Sequence, residues 1–223
     1  MTTMEILYKI STWAIPLVLS IIVHEVSHGY IAYLLGDRTA KEDGRLTLNP
    51  LAHVDWIGSV LLPSSLVFLS APFLIGWAKP VPINYAALKK PNRDMGLIAL
   101  AGPLSNILLA ALFLYIGKSC ISFFEYGSNM YYWFEANINN GIIFSIILAI
   151  FNLIPIFPLD GGRILLSLLP LQYAMKYQRF EPYGMMFLMI LIFMPYLFGI
   201  NLVGWIISTA YPSMYQLVNF IAE

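Results

Sequence analysis

Ile21-Ile22-Val23-His24-Glu25-Val26-Ser27-His28-Gly29-Tyr30 constrains what the rest of the chain has to be. The stretch holds His24-Glu25-x-x-His28 and lies inside an apolar run. From Trp13 to Val23 one side chain is polar, Ser20, and Ile31 to Leu35 is again apolar. On a helix His24 and His28 stand one turn apart on the same face. Two imidazoles so placed can bind one Zn²⁺, and the glutamate between them can serve as a general base toward water. Three ionisable groups within an apolar helix are costly, at about 2.5 kcal/mol or more for a charge at mid-membrane, so their presence points to function. The plain alternative is that the histidines bond to neighbouring helices and Glu25 faces a wet crevice.

Composition agrees with a membrane setting. The chain has 223 residues, 59% hydrophobic and 11% charged, about half the charged share of a soluble domain. The apolar residues come in long blocks, as in an integral membrane protein. Lys+Arg and Asp+Glu balance at 12 each, so no global charge suggests nucleic acid. One cysteine, Cys120, excludes an intramolecular disulfide and a cysteine-rich metal site. With 3 histidines in total, a metal site has to draw on His24, His28, His53 and carboxylates. The N-terminus lacks a basic n-region and a cleavage site, so the first apolar stretch is expected to be retained.

Along the chain, 13–35, 95–117 and 138–157 are each suited to crossing a bilayer. Arg45-Leu-Thr-Leu-Asn49 alternates and predicts a short strand. Residues 57–76 are apolar but broken by Pro63 and Pro72. Lys79-Pro-Val-Pro-Ile-Asn84 has to be extended, because its prolines forbid a helix. The aromatics of 118–136 suit an interface, and 183–221 holds one or two further helices. Basic residues concentrate in 36–55, 77–94 and 158–182. They share the cytoplasmic side only if 57–76 does not cross, which predicts a re-entrant segment there and an N-terminus outside.

The third span ends Asn152-Leu-Ile-Pro155-Ile-Phe-Pro158-Leu-Asp160-Gly161-Gly162-Arg163. The prolines break the helix, and the glycines let the backbone turn and approach closely. Asp160 is thereby offered on irregular backbone as the third ligand that a catalytic zinc site needs. Pairing with Arg163, or capping of the next helix, is the alternative use for it.

Together, His24-Glu-Val-Ser-His28 and the downstream Asn152-x-x-Pro-x-x-Pro-x-Asp160-Gly resemble the site-2 protease family of intramembrane zinc metalloproteases, M50-like peptidases. Ala101-Gly-Pro-Leu-Ser-Asn106 resembles the family's middle core helix. Gly36-Asp-Arg-Thr-Ala40, Gly44-Arg-Leu-Thr-Leu-Asn-Pro50 and Gly76-Trp-Ala-Lys-Pro-Val-Pro82 resemble a compact branch without PDZ or CBS domains. The resemblance covers about residues 13–170. It implies a three-helix catalytic core, and with the re-entrant segment, the short β or extended pieces and the C-terminal helices read above, the expected fold is all-α and polytopic in one membrane-embedded domain, 1–223. It implies one Zn²⁺ held by His24, His28 and Asp160, with Glu25 as catalytic base. Asn152 would bind substrate or its oxyanion, or else hold the broken helix. His53 is a candidate auxiliary residue, or a loop histidine at the membrane surface.

The expected partners are a membrane-protein substrate and the lipid bilayer, with no nucleic acid. The expected location is a prokaryotic cell membrane, with the site opening to the cytoplasm. An extended substrate suits strand addition, for which Arg45–Asn49 and Lys79–Asn84 are candidates. A non-proteolytic zinc-binding membrane protein, or a membrane chaperone, is the competing function.

Overall fold

The computed structural model describes residues 3–69 and 76–223. Helix α1, Thr3–Leu34, carries the motif and contains Pro16. A proline lacks the N–H that would bond the carbonyl four residues earlier. Here that carbonyl, on Thr12, accepts the Asn140 side-chain amide at 2.8 Å. A neighbouring helix thus satisfies the break, as a membrane interior requires. The helix ends at Gly36 (φ 112°). Asp37 N–H bonds to Ala32 O and Gly36 N–H to Tyr33 O, the paired bonds of a glycine-terminated helix.

The helices α2 (Thr39–Glu42) and α3 (Leu62–Phe68) are short; α4 (Pro91–Cys120) and α5 (Asn129–Asn152) are long. They are followed by α6 (Asp160–Leu168), α7 (Leu171–Gln178), α8 (Gly184–Phe198) and α9 (Leu202–Ile221). Among the described residues, four segments are long and apolar enough to cross a membrane: Leu7–Leu34, Pro91–Phe123, Asn129–Asn152 and Leu171–Phe198. α5 occupies Asn129–Asn152 where the sequence suggested 138–157. Its start is capped by Ser128, whose side chain accepts from Tyr131 N–H, and Pro155 forces its end. The C-terminal stretch is a helical hairpin turning at Gly199 (φ 69°).

Helices α1, α4 and α5 pack on one another, α6 packs on α4, and α9 lies against α4 and α5. Small residues bring them close. A Cβ on Gly141 would lie 2.6 Å from the Phe113 ring, and one on Gly96 would strike Ser167 of α6. Polar bonds add to the packing: Ser20 and Ser145 hydroxyls meet at 2.9 Å, and Trp133 donates to Ser11 at 2.9 Å. An apolar cluster including Ile107, Ala110, Ile142, Ile146 and Val218 fills the space between α4, α5 and α9.

Between α1 and α4 there is no strand among the described residues. Arg45–Asn49 is irregular, because its backbone finds no ladder partner, and the Arg45 guanidinium instead donates to the carbonyls of Lys79 and Pro80. Residues 76–84 form neither helix nor strand, and Pro80 and Pro82 hold the residues before them, Lys79 and Val81, in extended backbone. A π-helical turn, Trp56–Leu61, leads into α3. Trp77 N–H bonds to Gly58 O at 3.1 Å and Ser59 Oγ to Trp77 O at 2.8 Å. The chain that leaves at Gly58 therefore returns beside itself at Trp77. Of the expected re-entrant stretch 57–76, residues 70–75 lie outside the described residues. Several large apolar side chains before them are exposed, Trp56 at 77% and Phe68 at 88%.

Candidate metal centre

His24 and His28 are buried on the face of α1 that meets α4. Their rings lie edge to face, with centroids 4.6 Å apart. The His28 Nδ1 lies 2.7 Å from Ile98 O. A carbonyl only accepts, so Nδ1 carries a proton, and in the neutral ring Nε2 is then the nitrogen with the free lone pair. α4 approaches the pair closely because residue 102 is glycine: a Cβ there would lie 2.5 Å from His24 Cε1 and from His28 Cε1 and Nε2.

Asp160 arrives from far along the chain. Past Asn152 the backbone folds irregularly through Pro155 and Pro158 to Asp160, the first residue of α6. Gly161 and Gly162 press on the backbone they follow; a Cβ on Gly161 would lie 2.3 Å from Ile154 O. Asp160 Oδ2 is thereby placed 3.1 Å from His24 Nε2 and 3.3 Å from His28 Nε2. Arg163 is turned away, bonding the Tyr85 hydroxyl and Glu181, so Asp160 is not its partner.

The three ligand atoms lie within 4.8 Å of one another. A tetrahedral zinc with bonds of about 2.0–2.1 Å separates its ligands by about 3.3 Å, close to both measured spacings. Oδ2 is buried and makes no well-formed hydrogen bond, although both Nε2 atoms are near. That is the geometry of lone pairs converging on a shared point, and the donor set fits a metal ion. His24, His28 and Asp160 form the only such group among the described residues.

Glu25 follows His24 and points toward the extended segment, where its Oε2 accepts Val81 N–H at 3.0 Å. Pro80 and Pro82 flank Val81, so it alone of the three offers an N–H. Gly29 makes room: a Cβ there would lie 2.7 Å from Leu46 and 2.8 Å from Val81. The segment is pinned along its length. Lys79 N–H bonds to His53 O at 2.9 Å, and Asn84 N–H bonds to Asp37 Oδ2 at 2.6 Å. Burial pushes the Asp37 carboxyl up, but bonds from the Thr39 hydroxyl and from the N–H groups of Thr39 and Asn84 outweigh it and hold the pKa below its ordinary value.

Two other residues singled out from the sequence bond to backbone carbonyls. Asn152 donates from Nδ2 to Leu148 O at 3.0 Å, a bond within its own helix. His53 is buried in a 3₁₀ turn and bonds Thr47 O at 2.9 Å; it does not join the ligand group. Sequence reasoning passed over Val81, Asp37 and Arg45 as partners of the site. The Pro-Val-Pro pattern, which leaves a single N–H, was the available signal for Val81.

The model of Peptidase family M50 matches residues 120–195, which include Asp160. A protein of Bacillus subtilis provisionally named zinc metalloprotease YwhC is 37% identical over 190 residues, covering 81% of this chain and 80% of that one. The Mycolicibacterium smegmatis protein provisionally named zinc metalloprotease Rip2 is 29% identical over 147 residues, 64% of this chain and 51% of that one. Zinc metalloprotease MJ0392 of Methanocaldococcus jannaschii is 25% identical over 165 residues, 73% of this chain and 36% of that one. No solved structure matches the chain.

Proposed function

The chain belongs to peptidase family M50, and from that premise we propose that this multi-pass membrane protein is an intramembrane zinc endopeptidase, hydrolysing peptide bonds in or near transmembrane segments of other proteins. The observation that carries this reading is the convergence of His24, His28 and Asp160 on one buried point, with Glu25 beside it, on a helix long enough to cross a bilayer.

His24 and His28 through Nε2, and Asp160 through its carboxylate, would hold one Zn²⁺ per chain. Zinc, when bound, supplies a Lewis acid for the peptide carbonyl and a water acidified toward neutrality. Glu25 is the general base. Val81 N–H occupies Oε2, which leaves Oε1 to accept the proton of the attacking water and return it to the leaving amine. Ile98 O fixes the tautomer of His28. Asn152 is engaged by Leu148 O, which favours its role at the helix end over one toward substrate.

A helical substrate hides its carbonyls in its own hydrogen bonds, so the segment to be cut has to unwind first. The meeting of Gly58 and Trp77 supports a re-entrant 57–76, which leaves the basic segments 36–55 and 77–94 on one side. By the excess of Lys and Arg that side is cytoplasmic, and the site opens toward it. The relatives are bacterial and archaeal, in keeping with a prokaryotic cell membrane.

The test is Glu25→Gln in the full chain, co-expressed with a membrane-protein substrate. Cleavage is expected to stop while zinc is kept. Unchanged cleavage by that variant would overturn the reading.

A further inference from the structure

The two histidines are not supported alike. A metal-ligating imidazole normally donates its second ring N–H to a fixed acceptor, which sets the tautomer and the ring orientation. His28 does so to Ile98 O. His24 does not: its Nδ1 is buried without a hydrogen-bond partner. On the facing helix a second buried group is equally unmatched. Asn106 is 0% exposed, and both its Oδ1 and its Nδ2 lack partners. A buried polar group left unpaired is costly, so each of these two calls for a partner.

Register brings them together. Ala32 clusters with Met95, His28 bonds Ile98, and Gly102 touches both imidazoles. As the number falls along α1 it rises along α4, so the helices run antiparallel. Asn106, one turn past Gly102 on the same face, lies about 6 Å further on, level with the turn of α1 before His24. Side chains lean toward the N-terminus of their own helix. In an antiparallel pair His24 therefore leans toward the level of Asn106, and Asn106 leans toward that of His24. The imidazole atom nearest Gly102 of α4 is Cε1, which lies between the two ring nitrogens, and with Nε2 directed at Asp160 the other nitrogen, Nδ1, is the one left to meet α4.

We infer that Asn106 is the positioning residue for His24, its Oδ1 accepting the Nδ1 proton directly or through one bridging water, so that Nε2 stays free for the metal. This rests on the zinc-centre reading above. Asn106 takes no part in the chemistry; it acts through His24.

The experiment is a zinc competition against a chelator with the purified full chain, wild type beside Asn106→Leu and Asn106→Asp, together with the Co²⁺ absorption spectrum of each. The leucine variant should bind zinc about 10–100-fold more weakly and show a changed Co²⁺ spectrum. Aspartate, which keeps the acceptor, should restore most of the affinity. Unchanged zinc affinity in Asn106→Leu, or an equal loss in Asn106→Asp, would overturn the inference while leaving the centre intact. Should the leucine variant fail to fold, weakened zinc binding in Asn106→Asp alone overturns it. A wild-type chain that binds no zinc overturns the centre, and this inference with it.

Discussion

The backbone N–H of Val81 and the carboxylate of Glu25 meet at 3.0 Å. The bond joins the proposed general base to an extended segment more than fifty residues away, and it fixes one of the two carboxylate oxygens. A carboxylate held this way loses little orientational freedom when it acts as a base. The segment is itself held by Arg45, His53 and Asp37, so the position of Glu25 depends on the loop region and not on α1 alone.

Replacing Val81 by proline removes that N–H. A hydrogen bond to a charged group is worth about 1.5–3 kcal/mol, so kcat should fall by about ten-fold or more while bound zinc is unchanged. Val81→Ala keeps the N–H and should stay near wild type. Steady-state cleavage with zinc analysis of both variants checks this.

Gly102 sets how closely α4 meets the two imidazoles. A Cβ at this position lies 2.5 Å from both rings, well inside van der Waals contact, and valine adds two further methyls. Gly102→Val should displace the histidines and lower zinc affinity by at least about ten-fold, in the range of lost ligand support. Metal analysis after dialysis against a chelator reads it out. Alanine removes about 1 kcal/mol of helix penalty and should show a milder loss.

Asp37 makes one pH dependence specific. Its carboxyl pKa is lower in the folded chain than its ordinary value. Stability from it is fully present above the unfolded value, about 3.9, and is lost as pH falls through the folded value. Asp37→Asn should melt earlier than wild type at pH 7, and the gap should close on acidification below pH about 4. Thermal unfolding at several pH values measures it.

The convergence of His24, His28 and Asp160 was legible because His24-Glu-x-x-His28 and Pro-x-x-Pro-x-Asp160-Gly-Gly each carry their geometry locally: one helical turn in the first, a forced break with close backbone packing in the second. The extended form of 79–84 was legible for the same reason. The strand read into Arg45–Asn49 failed because alternation reports which way side chains face and not whether a partner strand exists. Leu46 packs near Gly29, Leu48 is exposed, and Arg45 spends its guanidinium on two carbonyls. The start of α5 was missed because the aromatics around Tyr131 to Phe134 resembled an interface, and they hid the capping signal at Ser128. His53 and Asn106 are buried, which no local pattern around them records.

The most direct test of the centre is zinc stoichiometry in the purified chain and in two variants, Asp160→Asn and Glu25→Gln, by elemental analysis. A ligand set joining α1 to the start of α6 predicts one zinc per wild-type chain, one in Glu25→Gln, and little or none in Asp160→Asn. Full zinc in Asp160→Asn would contradict it.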